Sequence, residues 1–365
     1  DLSMFDAADS AHMARALQLA AQGRYGAHPN PMVGCVIVRD GAVVGEGWHE
    51  KAGEPHAEIN ALRAAGEAAR GATVYVSLEP CAHHGKTPPC ADALVEAGVS
   101  KVVAAMEDPF SDVAGRGLQR VDEAGIAVEV GLMRAAAESL NAGFISRVQR
   151  GRPRVRLKVA ASLDGGTAMR SGESQWITGA AARRDVHRLR AASGAVMTGI
   201  GTVLADDPSL NVRDIESPDR QPLRVVIDSR LRMSPEARML GLPGDTLVCC
   251  TPGCDGALLE RAGAQVQEFG AHGDGVNVFE VLAALAEREV NDVLVEAGPR
   301  LAGYLVEKEL VDELVIYLAP HIMGSETRSM FDTPHWLALA DRKAVDITDL
   351  RRVGDDMRIT ARLGN

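Results

Sequence analysis

His56-Ala57-Glu58 and the eleven residues from Pro80 to Cys90, PCAHHGKTPPC, decide how the first half of this 365-residue chain is read. A His, two Cys and a Glu two positions after the His are the donor set and proton carrier of a zinc-dependent base deaminase. His56, Cys81 and Cys90 would give one zinc ion three protein ligands. The fourth tetrahedral position then stays open for water, as a catalytic rather than a structural site requires. Zinc acidifies that water enough for attack at neutral pH, and Glu58 would carry its proton to the departing amine. The usual deaminase pattern has two residues between its cysteines; here eight, Ala82 to Pro89, intervene.

Working outward, the first half alternates helix and strand signals. Met13 to Gln22 has helical composition, Val33 to Val38 is an apolar strand, and Asp40-Gly41 turns it into Ala42 to Val44. His56 to Ala69 predicts a helix, Ala72 to Leu78 a strand, Pro88 to Ala97 a helix and Lys101 to Met106 a strand. Gly115 to Gly125 reads as helix, Ile126 to Val130 as strand, and one last helix runs from Arg134 to about Arg147. That order builds a three-layer α/β/α sandwich. His56 and Glu58 then open one helix while Cys81 and Cys90 flank the start of the next, where helix dipoles favour thiolates.

A polar Gly/Pro stretch, Gln149 to Pro153, marks a boundary, giving domains 1–150 and 151–365. Beyond it, strand signals at Arg154 to Ala161, Ala195 to Thr198, Leu223 to Ile227, Thr246 to Cys250, Asp292 to Val295 and Glu313 to Leu318 alternate with helical ones. The helical stretches are Ala180 to Ala192, Val278 to Glu289 and Leu301 to Glu307, so a largely parallel sheet is expected. Gly199-Ile200-Gly201 is only a fragment of a dinucleotide fingerprint, and Gly298 follows a strand end; both patterns also occur in ordinary turns.

Composition narrows the class. Net charge is −11, with 13 Lys/Arg against 19 Asp/Glu in residues 1–150 and 26 against 31 afterwards, so no basic footprint for nucleic acid exists. A small-molecule substrate fits better than a DNA or RNA base. No apolar run approaches the roughly 20 residues that span a bilayer, and no leader pattern is seen, so no membrane role and a cytoplasmic location are expected. Cys35, Cys249, Cys250 and Cys254 lack neighbours at metal spacing and read as structural thiols.

Beyond the zinc pattern, Asn30-Pro31-Met32-Val33-Gly34, Gly47-Trp48-His49, KVAASLDG (Lys158 to Gly165), SQWIT (Ser174 to Thr178), TVLADDP (Thr202 to Pro208) and VEAGPRL (Val295 to Leu301) occur in order. With them the chain resembles, over essentially its whole length, the bifunctional deaminase–reductase family of riboflavin biosynthesis. The resemblance implies a cytidine-deaminase-like first domain and a second domain similar in fold to dihydrofolate reductase. It implies hydrolytic removal of the 2-amino group of a diaminopyrimidinone carrying a ribose 5-phosphate. Reduction of the product's ribosyl group to ribityl by NADPH would follow.

The same resemblance assigns residues. Asn30, His49, His83, Lys86 and Thr87 would line the deaminase substrate site, the last two reading the phosphate, which gives the long Cys-to-Cys loop a purpose. Ala160, Trp176, Thr202, Asp206, Ser229 and the turn Gly298, Pro299, Arg300, Leu301, Ala302, Gly303 and Tyr304 would contact NADPH. Ser174, Arg190, Leu210, Arg213 and Glu296 would contact the reductase substrate, Arg190 and Arg213 through its phosphate and Lys158 beside the reacting sugar carbon. Ser229-Arg230 offers a hydroxyl and a cation for a ribose 2′-phosphate, while Asp228 could instead serve the free 2′-hydroxyl of NADH. A homo-oligomer is expected. Two alternatives stand beside this reading: a deaminase of another nucleobase fused to an unrelated oxidoreductase, and a ligand-binding regulator with an inactive second domain.

Overall fold

The computed structural model describes residues 5–82, 88–110, 114–174, 176–213, 215 and 220–363. The chain divides into two compact units, Asp1–Gly151 and Arg152–Asn365.

The first unit runs α1 (Ala7–Ala20), β1 (Gly34–Arg39), β2 (Ala42–Trp48), α2 (Ala57–Ala65), β3 (Thr73–Val76), α3 (Cys90–Ala97) and β4 (Lys101–Ala104). It ends with α4 (Arg116–Glu123), β5 (Ala127–Val130), α5 (Arg134–Leu140) and α6 (Ala142–Arg150). The strands form one sheet in the order β2-β1-β3-β4-β5, antiparallel on both sides of β1 and parallel from β3 onward. Period-two alternation sorts β1 cleanly. Cys35 and Ile37 pack with Ala57, Ala61, Leu94 and Leu118 on one face, and Val36 and Val38 pack with Met13, Ala16 and Leu19 on the other. This is the three-layer sandwich. The last helix is not single: Asn141 breaks it, because its side chain exchanges hydrogen bonds with the Met32 backbone at 2.8 and 2.9 Å.

The second unit opens with β6 (Arg154–Ser162), β7 (Ala168–Met169), α7 (Ala180–Ala191), β8 (Ala195–Gly199), α8 (Ile200–Asp206), β9 (Leu223–Ile227) and β10 (Thr246–Cys250). Next come α9 (Ala257–Arg261), β11 (Gln265–Glu268), β12 (Ala271–His272), β13 (Gly275–Val276), α10 (Val278–Glu287), β14 (Asp292–Glu296) and α11 (Pro299–Glu307). The chain closes with β15 (Glu313–Ala319), β16 (Thr327–Arg328), β17 (Val345–Val353) and β18 (Asp356–Leu363). Nine strands make the main sheet, β11-β10-β9-β8-β14-β6-β15-β18-β17. It is parallel through β15 and antiparallel in the last two pairings.

Two cores sandwich this sheet. Leu157, Val293 and Val295 meet α10 and α11 through Leu282, Leu285, Leu305 and Val306. Val196, Val226 and Leu294 meet α7 and α8 through Leu189, Ile200 and Val203 on the opposite face. Fully burying each Leu or Val contributes roughly 1.5–3 kcal/mol, so these faces fix where the loops at the strand ends emerge. At β8 and β14, neighbours in the sheet, the chain departs in opposite directions: β8 leads to β9 on one side, and β14 leads across β6 to β15 on the other. A crevice opens at such a switch point, outside the carboxyl ends of the strands.

Candidate active sites

His56 is the N-cap of α2 and Cys90 the first residue of α3, so two helix starts meet. His56 Nδ1 lies 3.3 Å from Cys90 Sγ and 3.7 Å from Cys81 Sγ, and the three ligand atoms all fall within 4.8 Å of one another. Tetrahedral ligands with bonds of about 2.0–2.3 Å sit roughly 3.5 Å apart, so the donor set fits zinc with one position to spare. The Cys90 N–H donates to Cys81 Sγ at 3.3 Å, favouring a thiolate there. Glu58, in the first turn of α2, is 3% exposed, and burial raises its pKa to about 7.

Asn30 and His49 stand beside this cluster. His49 stacks edge-on against His56 at 5.4 Å. Its Nδ1 is 3.2 Å from the Pro55 carbonyl, and its Nε2 is 3.0 Å from Asn30 Nδ2. Both ring nitrogens are therefore engaged, burial keeps the ring neutral, and His49 holds Asn30 in place rather than reaching outward. His83, Lys86 and Thr87 lie outside the described residues.

Glu79 escaped the sequence reading. Its carboxylate, 6% exposed, accepts backbone N–H groups of Asp108, Gly115 and Gly117 at 2.8–2.9 Å and of Leu118 at 3.4 Å. It fastens the start of α4 to the Pro80-Cys81 step. Gly117 is required for that approach, since a Cβ there would meet the Pro80 carbonyl at 1.8 Å. An acidic residue before Pro-Cys was the available signal; its partners, being backbone amides, left none.

In the second unit, Lys158 in the middle of β6 is the register partner of Glu296 at the end of β14. Glu296 takes the Arg190 guanidinium at 2.5 and 3.0 Å and the Lys158 ammonium at 3.3 Å. Arg190 also donates to the Asn211 carbonyl at 2.9 Å, so three of its five N–H groups are engaged by protein. Arg213 is exposed, with its guanidinium bonded only to Asn211 Oδ1 among the described residues. The Leu210 side chain is 3% exposed and belongs to the core, and its backbone has a φ of +47°.

Two of the glycine turns expected at the NADPH site follow the adjacent strands β8 and β14. Gly199 and Gly298 are the N-caps of α8 and α11. A Cβ on Gly298 would find only Thr202 Oγ1 within 4 Å, at 3.8 Å, so the turn is open to a ligand at a helix N-terminus. Gly298 and Arg300 are exposed and Pro299, Leu301 and Tyr304 half-buried. Ala302 and Gly303 are buried, and a Cβ on Gly303 would strike the Asp332 carbonyl at 2.0 Å. Ala160 and Ser174 are half-buried and Asp206 is exposed. Trp176 is 70% exposed, with Arg183 stacked on it at 4.6 Å. Asp228 is fully buried; its Oδ2 accepts the Met233 N–H at 2.8 Å, and its Oδ1 is buried without a hydrogen-bond partner among the described residues. Ser229 and exposed Arg230 are left at that strand end.

Residues 6–106 match the cytidine and deoxycytidylate deaminase zinc-binding region, and residues 153–359 match the RibD C-terminal domain. The chain is 50% identical over 360 residues to the riboflavin biosynthesis protein RibD of Escherichia coli (strain K12), covering 96% of this chain and 98% of that protein. The chain belongs to the RibD family. RibD of Haemophilus influenzae is 45% identical over 98% of both chains. The RibD structure from Acinetobacter baumannii (form 1) superposes with a TM-score of 0.91 at 45% identity, over 98% of this chain and 99% of that one. A Thermotoga maritima structure, described as a diaminohydroxyphosphoribosylaminopyrimidine deaminase/5-amino-6-(5-phosphoribosylamino)uracil reductase, does so at 0.87 and 31% identity, over 98% and 99%. RibD kinship thus extends across both units.

Proposed function

We propose that residues 1–151 deaminate diaminohydroxyphosphoribosylaminopyrimidine and residues 152–365 reduce the resulting 5-amino-6-(5-phosphoribosylamino)uracil, as the Thermotoga relative is described to do. As a RibD enzyme the chain is a bifunctional deaminase and reductase of riboflavin biosynthesis, with zinc and NADPH as cofactors. The observation that carries the deaminase half is the His56, Cys81, Cys90 cluster with Glu58 buried beside it.

His56, Cys81 and Cys90 would hold the zinc, which when bound would supply the Lewis acidity that activates water near neutral pH. Glu58 would accept a water proton at its carboxylate and return it to the departing amine, and its burial raises its pKa. Asn30, fixed by His49, orients the base and sugar, and Lys86 with Thr87 receives the phosphate. In the second unit the Gly298–Leu301 turn and Thr202 hold the cofactor, with Trp176 and Asp206 at its borders. NADPH supplies the hydride. Glu296 keeps Arg190 and Lys158 as a fixed charged group beside the sugar, and Arg213 is the cation available for the substrate phosphate.

We also assign the working form to a cytoplasmic homo-oligomer that binds no nucleic acid. Net charge of −11 supports the last point. No helix among the described residues is long and apolar enough to cross a membrane. For the oligomer, the support is the edge strand β17. Its register sets Val345, Ile347 and Leu350 opposite Leu363, Ala361 and Ile359. They extend the apolar face past the core, yet are 47%, 56% and 58% exposed. A second copy fits such an edge.

Glu58→Gln tests the deaminase chemistry. The amide keeps the shape without the proton transfer, so ammonia release should fall by about 10²- to 10⁴-fold while elemental analysis still finds one zinc. Near-normal release from a zinc-loaded variant would overturn the assignment.

A further inference from the structure

The short hairpin β12–β13 joins two segments of the cofactor crevice that are far apart in sequence. Its second strand meets the end of β9: the Val276 N–H donates to Ser229 Oγ at 3.1 Å, and a Cβ on Gly275 would lie 3.5 Å from that oxygen. Its first strand carries His272, whose Nδ1 lies 3.0 Å from the Tyr304 hydroxyl on α11. His272 therefore pairs across the hairpin with Gly275, beside Ser229, while being tied to the helix that begins at Gly298. Phe279 flanks the imidazole edge-on at 6.3 Å, and Tyr304 does so at 6.2 Å. A surface histidine fixed this way has a defined direction.

Scale places it against one end of the cofactor. A dinucleotide whose pyrophosphate sits at the α11 N-terminus, beside β14, must run past β8 to reach β9. Two strand spacings are roughly 10 Å, comparable to the reach from pyrophosphate to the far side of the adenosine ribose. That end then meets Ser229, Arg230 and His272. Ser229 Oγ accepts from Val276, so its own hydrogen is free to be donated. With the Tyr304 hydroxyl donating to Nδ1, the ring hydrogen of His272 sits on Nε2, which has no partner among the described residues. A hydroxyl donor and an imidazole N–H on neighbouring segments, with exposed Arg230 next in sequence to Ser229, are the donors that a phosphate monoester takes. Buried Asp228 adds no exposed acceptor to oppose it.

We propose that His272, oriented by Tyr304 on the β12–β13 hairpin, donates from Nε2 to the adenosine 2′-phosphate and so helps select NADPH over NADH. This rests on the reading that NADPH lies along the Gly298 turn and Ser229. The test is steady-state kinetics of the full-length enzyme on the deaminated intermediate, with 2′,5′-ADP and 5′-AMP as competing probes. His272→Ala should raise KM for NADPH about tenfold and weaken 2′,5′-ADP by the same factor. KM for NADH, inhibition by 5′-AMP, kcat and ammonia release should stay within twofold. His272→Gln, which keeps an N–H donor, should recover part of the loss, and Tyr304→Phe should show a smaller loss in the same direction. If NADPH and NADH constants rise together, or neither moves, the inference is overturned. Gly298→Val separates the two levels: no effect on either cofactor would sink the cofactor placement itself. A rise for both cofactors, with His272→Ala silent, would sink only the role of His272.

Discussion

His56, Glu58, Cys81 and Cys90 were legible as residues because the chemistry dictates their types, and the fold then had only to bring the His56, Cys81 and Cys90 ligand atoms within 4.8 Å of one another and to bury Glu58. Glu79 was not legible, because it acts on backbone amides 29 to 39 residues downstream that carry no signature. Glu79→Gln keeps its size but turns an N–H toward donors that need an acceptor, at a cost of about 1–3 kcal/mol. A lowered urea midpoint and a faster loss of zinc to a chelator are expected; unchanged zinc release would mean that Glu79 serves stability alone. Arg190 was legible as a functional candidate but its ion pair was not, since ion pairs between a helix and a distant strand end leave no spacing rule. Its partner Glu296 gives a pH dependence. Burial would raise the Glu296 pKa, but Arg190 and Lys158 outweigh it and hold it at about 2, below the ordinary value near 4.3. A depressed folded pKa contributes stability that is complete above the unfolded value and is lost as pH falls through the folded one. Stability should therefore decline between about pH 4.5 and 2, with this group contributing on the order of 3 kcal/mol. Urea unfolding of Glu296→Gln should show a shallower slope in that window; an identical slope would assign the acid transition to other carboxylates.

At the scale of elements, period-two and helical patterns located most of the strands and helices, with ends shifted by a few residues. What they missed follows from how burial is distributed. The β17–β18 hairpin carries charges along a mostly exposed strand, so its alternation does not stand out in composition. Ala302 and Gly303 belong to a turn rich in ligand-type residues, yet the helix geometry of α11 points them at the core. A face, unlike a motif, is settled only by packing. The exposed apolar edge of β17 yields its own expectation: Ile347→Lys with Leu350→Lys should lower the solution mass from an oligomer to a monomer. Light scattering at micromolar concentration measures this directly. A wild-type chain that is already monomeric, or a variant that remains oligomeric, would rule out this edge as the contact.

For the whole molecule, the relevant fact is that one chain builds two compact units, each with its own sheet and its own cores. Units with separate cores tolerate local damage next door. The metal cluster belongs wholly to the first unit, and the β8–β14 crevice wholly to the second. Two chemistries in series therefore need two sites that can be disabled one at a time. The most direct measurement is a paired assay of Cys81→Ala: zinc content and ammonia release from the diaminopyrimidine substrate, and NADPH oxidation on supplied deaminated intermediate. The expected result is loss of zinc and of ammonia release with NADPH oxidation near the wild-type rate. Loss of both activities in a variant that remains folded by circular dichroism would contradict two independent sites.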